Sequence, residues 1–362
     1  MIEITPYNDT DFEELVLFLK KNWAQKHVLY RKELFDWQYK TADGSASLIA
    51  REREKIIGFL GNIPGKYCVD DRIHSGAGLT MWIIAPQYLS SGLGVLLLRE
   101  TEKNYPVLIT LGSKPEVVPL YEKLGFSHFP ALRRFVIPLE AEGYRALLRE
   151  PADEQLVNVW VKRIFAKSKS LRVPEKNINT DLLAELYDRR IRDTFAFSLM
   201  RDAEFWRWRY MESAGYRYLF FGDPESEGII VARVESVTAP SNLLQPLKVL
   251  RIIELIPEGE ELLSLLHEVL RWAKEQGCAA ADFQTSTLRL APFFETAGFR
   301  FQDENDVPPE CSLLGRFQPL KLSAKPINFL WKVRDSSSAI KNIAPDDTYF
   351  VKSDCDMDRP SF

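Results

Sequence analysis

One stretch restricts the fold more than any other. An apolar segment, Leu79–Ile84, leads through Ala85–Tyr88 into the turn Ser90–Gly94, and the apolar residues Val95–Leu98 follow at once. A strand that ends in a glycine-containing turn at the start of a helix is a natural anion site. The first N–H groups of the helix have no partner inside it, and its dipole adds partial positive charge. The stretch therefore predicts a phosphate-binding loop in an α/β fold.

A second motif, Val118–Phe126, is predicted to be a short helix that ends at Gly125 and carries Tyr121. The ordered pair of motifs resembles the GNAT superfamily of acyl-CoA-dependent N-acetyltransferases. In that superfamily a strand is followed by V-x-P-x-Y-R-G-x-G-x-G, which wraps the CoA pyrophosphate. A later Y-x-x-x-G-F supplies a tyrosine beside the thioester sulfur. Leu89 stands where the superfamily usually has arginine or glutamine.

This resemblance implies an α/β (α+β) fold with mixed central sheets flanked by helices. It also implies acetyl-CoA as the acyl donor, a primary amine as the small-molecule acceptor, and direct attack in a ternary complex. Tyr121 is then expected to protonate the departing thiolate, while a backbone N–H near Ile83 or Ile84 holds the oxyanion. The residues expected to bind the donor are Ile83, Ile84, Leu89, Ser90, Ser91, Gly92, Leu93, Gly94 and Val95.

Two short sequence motifs occur twice in the chain. Glu33–Tyr39 resembles Glu204–Tyr210 at an offset of 171 positions, and Pro119–Phe126 resembles Pro292–Phe299 at an offset of 173. Two echoes at nearly one offset predict a tandem repeat of two GNAT-like folds, because the period is too long for a solenoid. We expect an N-terminal catalytic domain over 1–140, a linker over 141–176, a degenerate C-terminal domain over 177–320, and a tail over 321–362.

The second copy is predicted to have lost the donor. Glu258, Glu260 and Glu261 stand where the phosphates would lie, and we expect these carboxylates to satisfy the helix N-terminus themselves. Phe294 takes the place of Tyr121 and has no proton to give. The second copy is therefore expected to keep the fold without the chemistry.

The amino-acid composition narrows the range of possible functions. The 362 residues are 46% hydrophobic and 27% charged with a net charge of −4, which leaves no basic surplus for nucleic acid. The four cysteines form no CxxC pair and the four histidines no cluster, so we expect neither disulfides nor a metal site. No signal peptide or membrane-length apolar run is evident, and a cytoplasmic location is expected. Oligomeric state stays open.

No general base can be identified from the sequence. The central strand lacks an acid, and His27, His74 and Asp36 are only weak candidates because lone polar groups of this kind are usually structural. Aromatic residues recur in both copies, which favours packing over sugar stacking. They are Trp37, Tyr39, Trp208 and Tyr210.

Three functions compete. The first is an N-acetyltransferase with one working copy. A looser similarity to double-GNAT proteins associated with bacterial polysaccharide biosynthesis implies an amino-sugar acceptor. The second is a Fem-like aminoacyl transferase, against which the acidic balance and the CoA-type loop both argue. The third is a non-catalytic GNAT-fold binding or regulatory protein, which Leu89 and the missing base favour.

Overall fold

The computed structural model describes residues 1–41, 44–165, 170–237, 247–302, 307–314, 326–334 and 343–358. The chain divides into two compact units, each built around a β-sheet. The first unit comprises Met1–Phe129, Asn328–Ile343 and Asp354–Phe362, and the second comprises Pro130–Ile327 and Ala344–Ser353. Both units therefore combine separate parts of the chain.

The strands in chain order are β1 (Ile2–Pro6), β2 (Lys40–Thr41), β3 (Gly44–Ser45), β4 (Leu48–Glu52), β5 (Lys55–Val69), β6 (Arg72–Ile84), β7 (Val107–Leu111), β8 (Ser127–Phe129), β9 (Arg133–Pro138), β10 (Phe197–Leu199), β11 (Leu219–Phe221), β12 (Gly228–Val237), β13 (Leu247–Pro257), β14 (Cys278–Thr285), β15 (Arg300–Gln302), β16 (Phe329–Val333) and β17 (Thr348–Tyr349). The helices are α1 (Phe12–Asn22), α2 (Lys32–Tyr39), α3 (Leu93–Asn104), α4 (Val118–Lys123), α5 (Ala141–Ala146), α6 (Glu154–Phe165), α7 (Thr180–Tyr187), α8 (Ala203–Trp206), α9 (Leu262–Glu275) and α10 (Ala291–Ala297).

The sheet of the first unit has the strand order β1-β4-β5-β6-β7-β16-β8. Neighbours from β1 to β6 are antiparallel, whereas β6 and β7 are parallel and joined through α3. α1 buries Phe12, Leu15 and Leu19 at helical spacing. The mixed sheet with its flanking helices confirms the predicted fold class.

The segment from Asn328 onward has a different place from the one expected. Residues 321–362 are expected from the sequence to form a tail, but β16 lies between β7 and β8 and is antiparallel to both. Leu330 is fully buried in the same core as Leu97 and Tyr121. A strand's own residues predict its extended form but not its partners, which is why this strand could not be assigned to a sheet from sequence.

The sheet of the second unit has the order β11-β12-β13-β14-β9-β15. β9 joins it although the strand just before it in the chain, β8, belongs to the first unit. The structure therefore groups Pro130–Ile327, which includes α5 and α6, with the second unit. The expected boundary at 140 and the expected linker over 141–176 do not match this division, because the linker residues have their own buried helix faces.

Candidate active site

β6 and β7 separate in the middle of the first unit's sheet. Their pairing runs from Gly76 and Val107 to Gly78 and Ile109, whereas β6 itself continues to Ile84. The other edge of β7 pairs with β16 along its whole length, from Val107 to Leu111. The sheet therefore opens on the side from which α3 begins.

A β-bulge lies in β6 beside this opening. The register with β5 shifts between Phe59 and Gly61, so that Met81 and Trp82 together lie opposite Leu60. Met81 has a φ of 35°, a left-handed conformation that costs a residue with a side chain about 1–2 kcal/mol. Bulges and strained backbone concentrate next to active sites. No feature of the apolar sequence Leu79–Ile84 predicted the bulge.

The predicted phosphate loop connects β6 to α3. The Leu89 N–H donates to Pro86 O at 3.3 Å, the Ser91 N–H donates to Tyr88 O at 3.1 Å, and the Leu93 N–H donates to the Ser91 hydroxyl at 3.3 Å. Other N–H groups of the loop and first helical turn have no hydrogen-bond partner within the described ranges. They are those of Ser90, Gly92, Gly94 and Val95. The loop thus presents unpaired donors at a helix N-terminus, which is the arrangement that binds phosphate.

The two glycines of the loop have different roles. Gly92 has a φ of 79°, which favours glycine, and a Cβ added there would meet nothing within 4 Å. A Cβ added at Gly94 would lie 3.1 Å from the indole nitrogen of Trp82. Gly94 is therefore needed for packing as well as for any ligand. The other predicted donor-binding residues lie nearby: Ile83 and Ile84 end β6, while Leu89 is 69% exposed.

Tyr121 lies on α4, 3% exposed, with its ring 5.1 Å from Trp82 and 4.8 Å from Phe126. Burial raises its pKa, Cys355 raises it further, and hydrogen bonds with Thr110 and Ser113 offset only part of this. The net effect is a pKa above its usual value of about 10. The hydroxyl therefore keeps its proton throughout the physiological range.

The opposite face of β6 is covered by the C-terminal segment of the same unit. Cys355 is 3% exposed, and its Sγ lies 3.6 Å from Leu79 O. A Cβ added at Gly78 would lie 3.3 Å from the same sulfur. Because Leu79 and Tyr121 share one core and successive strand residues alternate faces, Cys355 lies across the sheet from Tyr121. Sequence reasoning missed this contact, since nothing local links the two segments.

The candidate bases do not gather around Tyr121. Asp36 is held by Lys32 at 2.9 Å and Lys40 at 3.3 Å. His27 accepts a hydrogen bond from its own turn and lies 4.4 Å from Trp23, ring to ring.

His74 pairs with Tyr67 at the hairpin end of β6, about 30 Å along the strand from Ile84 at roughly 3.3 Å per residue. Among the aromatic residues of the echoed segments, Tyr39 and Tyr210 are fully buried, whereas Trp37 and Trp208 are half-buried.

The second unit has a similar bulge but a different loop. The register between β12 and β13 shifts between Val231 and Ala232, and β13 continues beyond Arg251, its last residue paired with β14. Glu258 lies in the loop before α9, but its carboxylate pairs with Arg190 at 2.7 Å and does not cap the helix. Arg190 and Arg189 lower the pKa of Glu258. The expectation that Glu258 satisfies the helix N-terminus is therefore wrong.

The opening of the second sheet is filled. The Tyr349 hydroxyl donates to Leu255 O at 2.8 Å and also hydrogen-bonds to Glu254, which pairs with Arg201. All four residues are fully buried, and Leu255 takes part through its main-chain oxygen. Phe294 stacks on Phe135 at 4.8 Å. The second unit thus has side chains where the first has an opening.

The four cysteines are free and buried. Among the described residues, no three metal-binding side chains come together. No described helix has the length and apolar character that crossing a membrane requires.

The fold is that of N-acyltransferases with mixed sheets flanked by helices, as solved structures show. N-myristoyltransferase of Saccharomyces cerevisiae, crystallised with bound myristoyl-CoA, matches with a TM-score of 0.56 at 13% identity over 96% of this chain and 85% of its own. A GCN5-related N-acetyltransferase from Anabaena variabilis matches with a TM-score of 0.58 at 14% identity. The match covers 92% of this chain and 73% of the acetyltransferase chain.

A protein of unknown function from Enterococcus faecalis, described as a probable N-acyltransferase, matches with a TM-score of 0.57 at 11% identity. The match covers 92% of this chain and 73% of that protein's chain. No protein-family model and no curated protein matches the sequence. At such identities the likeness shows a common fold, and the chemistry rests on the site.

Proposed function

We propose that this chain is an acyl-CoA-dependent N-acyltransferase that transfers an acetyl group to a primary amine. The observation that carries the proposal is the set of unpaired N–H groups at Ser90, Gly92, Gly94 and Val95. These groups lie at the end of β6, where β6 separates from β7, and Tyr121 lies nearby. Such a cradle fits the pyrophosphate of CoA without any basic side chain. The exposed Leu89 is then a tolerated departure from the superfamily pattern.

In the proposed reaction, a neutral amine attacks the thioester carbonyl and the C–S bond breaks. Tyr121 donates its proton toward the departing sulfur, and the new amide nitrogen loses a proton to water. Main-chain donors at the end of β6, near Ile83 and Ile84, are proposed to hold the oxyanion. Holding amine and thioester together supplies much of the rate, because a bimolecular step becomes effectively unimolecular.

We also propose that the two units arose by duplication and that only the first retains the donor site. The matching order of strands, the bulge in each sheet and the filled opening beside Tyr349 support this. The looser resemblance to polysaccharide-associated proteins supports an amino sugar as the acceptor. Free buried cysteines fit a reducing cytoplasm.

Calorimetric titration with acetyl-CoA tests the donor site, using Gly92→Asp and Gly92→Asn as a matched pair. Asn and Asp tolerate a positive φ about equally, and the open space at Gly92 accepts either side chain. Only Asp adds a negative charge beside the phosphates. We expect Gly92→Asp to weaken binding about tenfold or more and Gly92→Asn to weaken it much less.

Equal effects of the two substitutions, or no binding of acetyl-CoA by the unaltered protein, would contradict the proposal. Myristoyl-CoA serves as a second ligand, because one fold neighbour holds it. Tighter binding of myristoyl-CoA than of acetyl-CoA would support the proposed donor site but contradict acetyl as the transferred group.

A further inference from the structure

Two buried polar atoms without partners lie beside Tyr121. The first is Trp82 Nε1, which is shielded from solvent and has no hydrogen-bond partner among the residues that the structure describes. The indole packs against Gly94, at the start of α3, and its ring centre lies 5.1 Å from that of Tyr121. Its unpaired N–H therefore lies between the phosphate loop and the tyrosine.

The second atom is Asn328 Oδ1. Asn328 is 8% exposed and lies at the start of β16, where its Nδ2 donates to Ser113 O at 3.0 Å and its main-chain oxygen accepts from the Gly112 N–H at 2.8 Å. Its Oδ1 has no partner in the described part of the chain. Because the Ser113 side chain hydrogen-bonds to Tyr121, this oxygen also belongs to the surroundings of Tyr121.

A buried polar atom left unpaired costs about 1–3 kcal/mol. An unpaired donor and an unpaired acceptor that are each linked to Tyr121 therefore point to a ligand that satisfies both. A secondary amide offers one carbonyl oxygen and one N–H. We propose that Trp82 and Asn328 bind the amide-bearing pantetheine arm of the acyl donor. Trp82 donates to an amide oxygen, and Asn328 accepts from an amide N–H. This inference rests on the proposed function.

The chain supplies a matched control for the indole. Trp331 is 4% exposed, and its Nε1 is likewise buried without a partner among the described residues. Its neighbour in β16, Leu330, belongs to the core that holds Tyr121, so Trp331 lies on the other face of the sheet. Trp331→Phe therefore removes a buried indole N–H from the face of the sheet opposite Tyr121.

Calorimetry with two ligands tests the inference. Acetyl-CoA carries the pantetheine amides, whereas adenosine 3′,5′-bisphosphate carries only the nucleotide end. We expect Trp82→Phe and Asn328→Leu each to weaken acetyl-CoA binding about 3- to 10-fold, as expected for one lost hydrogen bond. Trp331→Phe should bind acetyl-CoA like the unaltered protein. All of these variants should bind adenosine 3′,5′-bisphosphate equally well.

The outcomes separate this inference from the function on which it rests. If the unaltered protein does not bind acetyl-CoA, the proposed function fails. If it binds but Trp82→Phe and Asn328→Leu bind equally well, or if they weaken both ligands alike, the inference is overturned and the function stands. Should Asn328→Leu not fold, Asn328→Ser replaces it, since serine can still donate to Ser113 O but lacks the amide oxygen.

Discussion

Burial favours the role of proton donor that we propose for Tyr121. Its ring is fixed between Trp82 and Phe126, and its hydroxyl contacts Thr110 and Ser113. Withdrawal from water raises its pKa, so the group is held as a neutral donor. A donor that stays protonated is available whenever a thiolate leaves.

Tyr121→Phe removes the hydroxyl and keeps the ring. We expect kcat to fall by about 10² to 10⁴, the usual worth of a general acid, with little change in acetyl-CoA affinity. Thr110 and Ser113 lie 3.2 Å apart, hydroxyl to hydroxyl, and can still pair with each other. Unchanged kcat, measured with any amine that supports turnover, would leave Tyr121 as a packing residue only.

The upward shift of the Tyr121 pKa also predicts how the rate depends on pH. Since the pKa is raised above about 10, the hydroxyl does not ionise as the pH rises from 7 to 10. The rate should therefore increase with pH as the acceptor amine loses its proton, without a falling limb that depends on Tyr121. A falling limb below pH 10 that disappears in Tyr121→Phe would contradict the assignment.

At the scale of elements, the sequence predicted most local structure and little of the pairing. The strand over Leu79–Ile84, the loop that leads from it into α3, and the helix around Tyr121 follow from periodicity and glycine placement. The bulge at Met81 and the insertion of β16 depend on residues far apart in the chain. Asn328 was missed for the same reason, because it reaches Ser113 only once β16 is in the sheet.

The position of β16 can be tested through Leu330. This residue is fully buried beside Leu97 and Tyr121 in the core of the first unit. Leu330→Ala should lower the free energy of unfolding by about 2–5 kcal/mol, the usual cost of a cavity in a core. The control is Arg334→Ala, which alters an exposed residue just beyond the same strand and should change stability by no more than about 0.5 kcal/mol. Equal stability of the two variants in denaturant melts would contradict this sheet order.

At the scale of the whole molecule, the sheets of the two units differ. The first has an opening at its bulge, whereas the second buries charged groups in its sheet. Asp282 pairs with Arg134 at 2.7 Å and with Arg251 at 3.0 Å, and all three are at least nine-tenths buried. Such a cluster contributes to structure only while it stays fully paired.

The buried cluster predicts sensitivity to acid. Burial tends to raise the pKa of Asp282, but Arg251 and Arg134 outweigh it, and the pKa is lowered from its ordinary 3.8. The pKa of Glu235 is likewise lowered from 4.5, mainly by Arg251 and Arg233 acting against burial. Because the folded pKa lies below the unfolded one, this stabilisation is complete above about pH 5 and is lost as the pH falls through the folded values.

Asp282→Asn should lower stability by about 3–5 kcal/mol at neutral pH, since it removes the carboxylate charge that two buried arginines share. Its melting temperature should also depend less on pH below about 5 than that of the unaltered protein. A variant that melts at the same temperature at pH 7 would show that the pairing contributes nothing.

The most direct measurement is a crystal structure of the protein with acetyl-CoA. We predict one molecule per chain, in the first unit. Its pyrophosphate should accept hydrogen bonds from the N–H groups of Ser90, Gly92, Gly94 and Val95, with its sulfur within hydrogen-bond reach of the Tyr121 hydroxyl. Density for the ligand in the second unit, or in the first unit but away from this loop, would contradict the account.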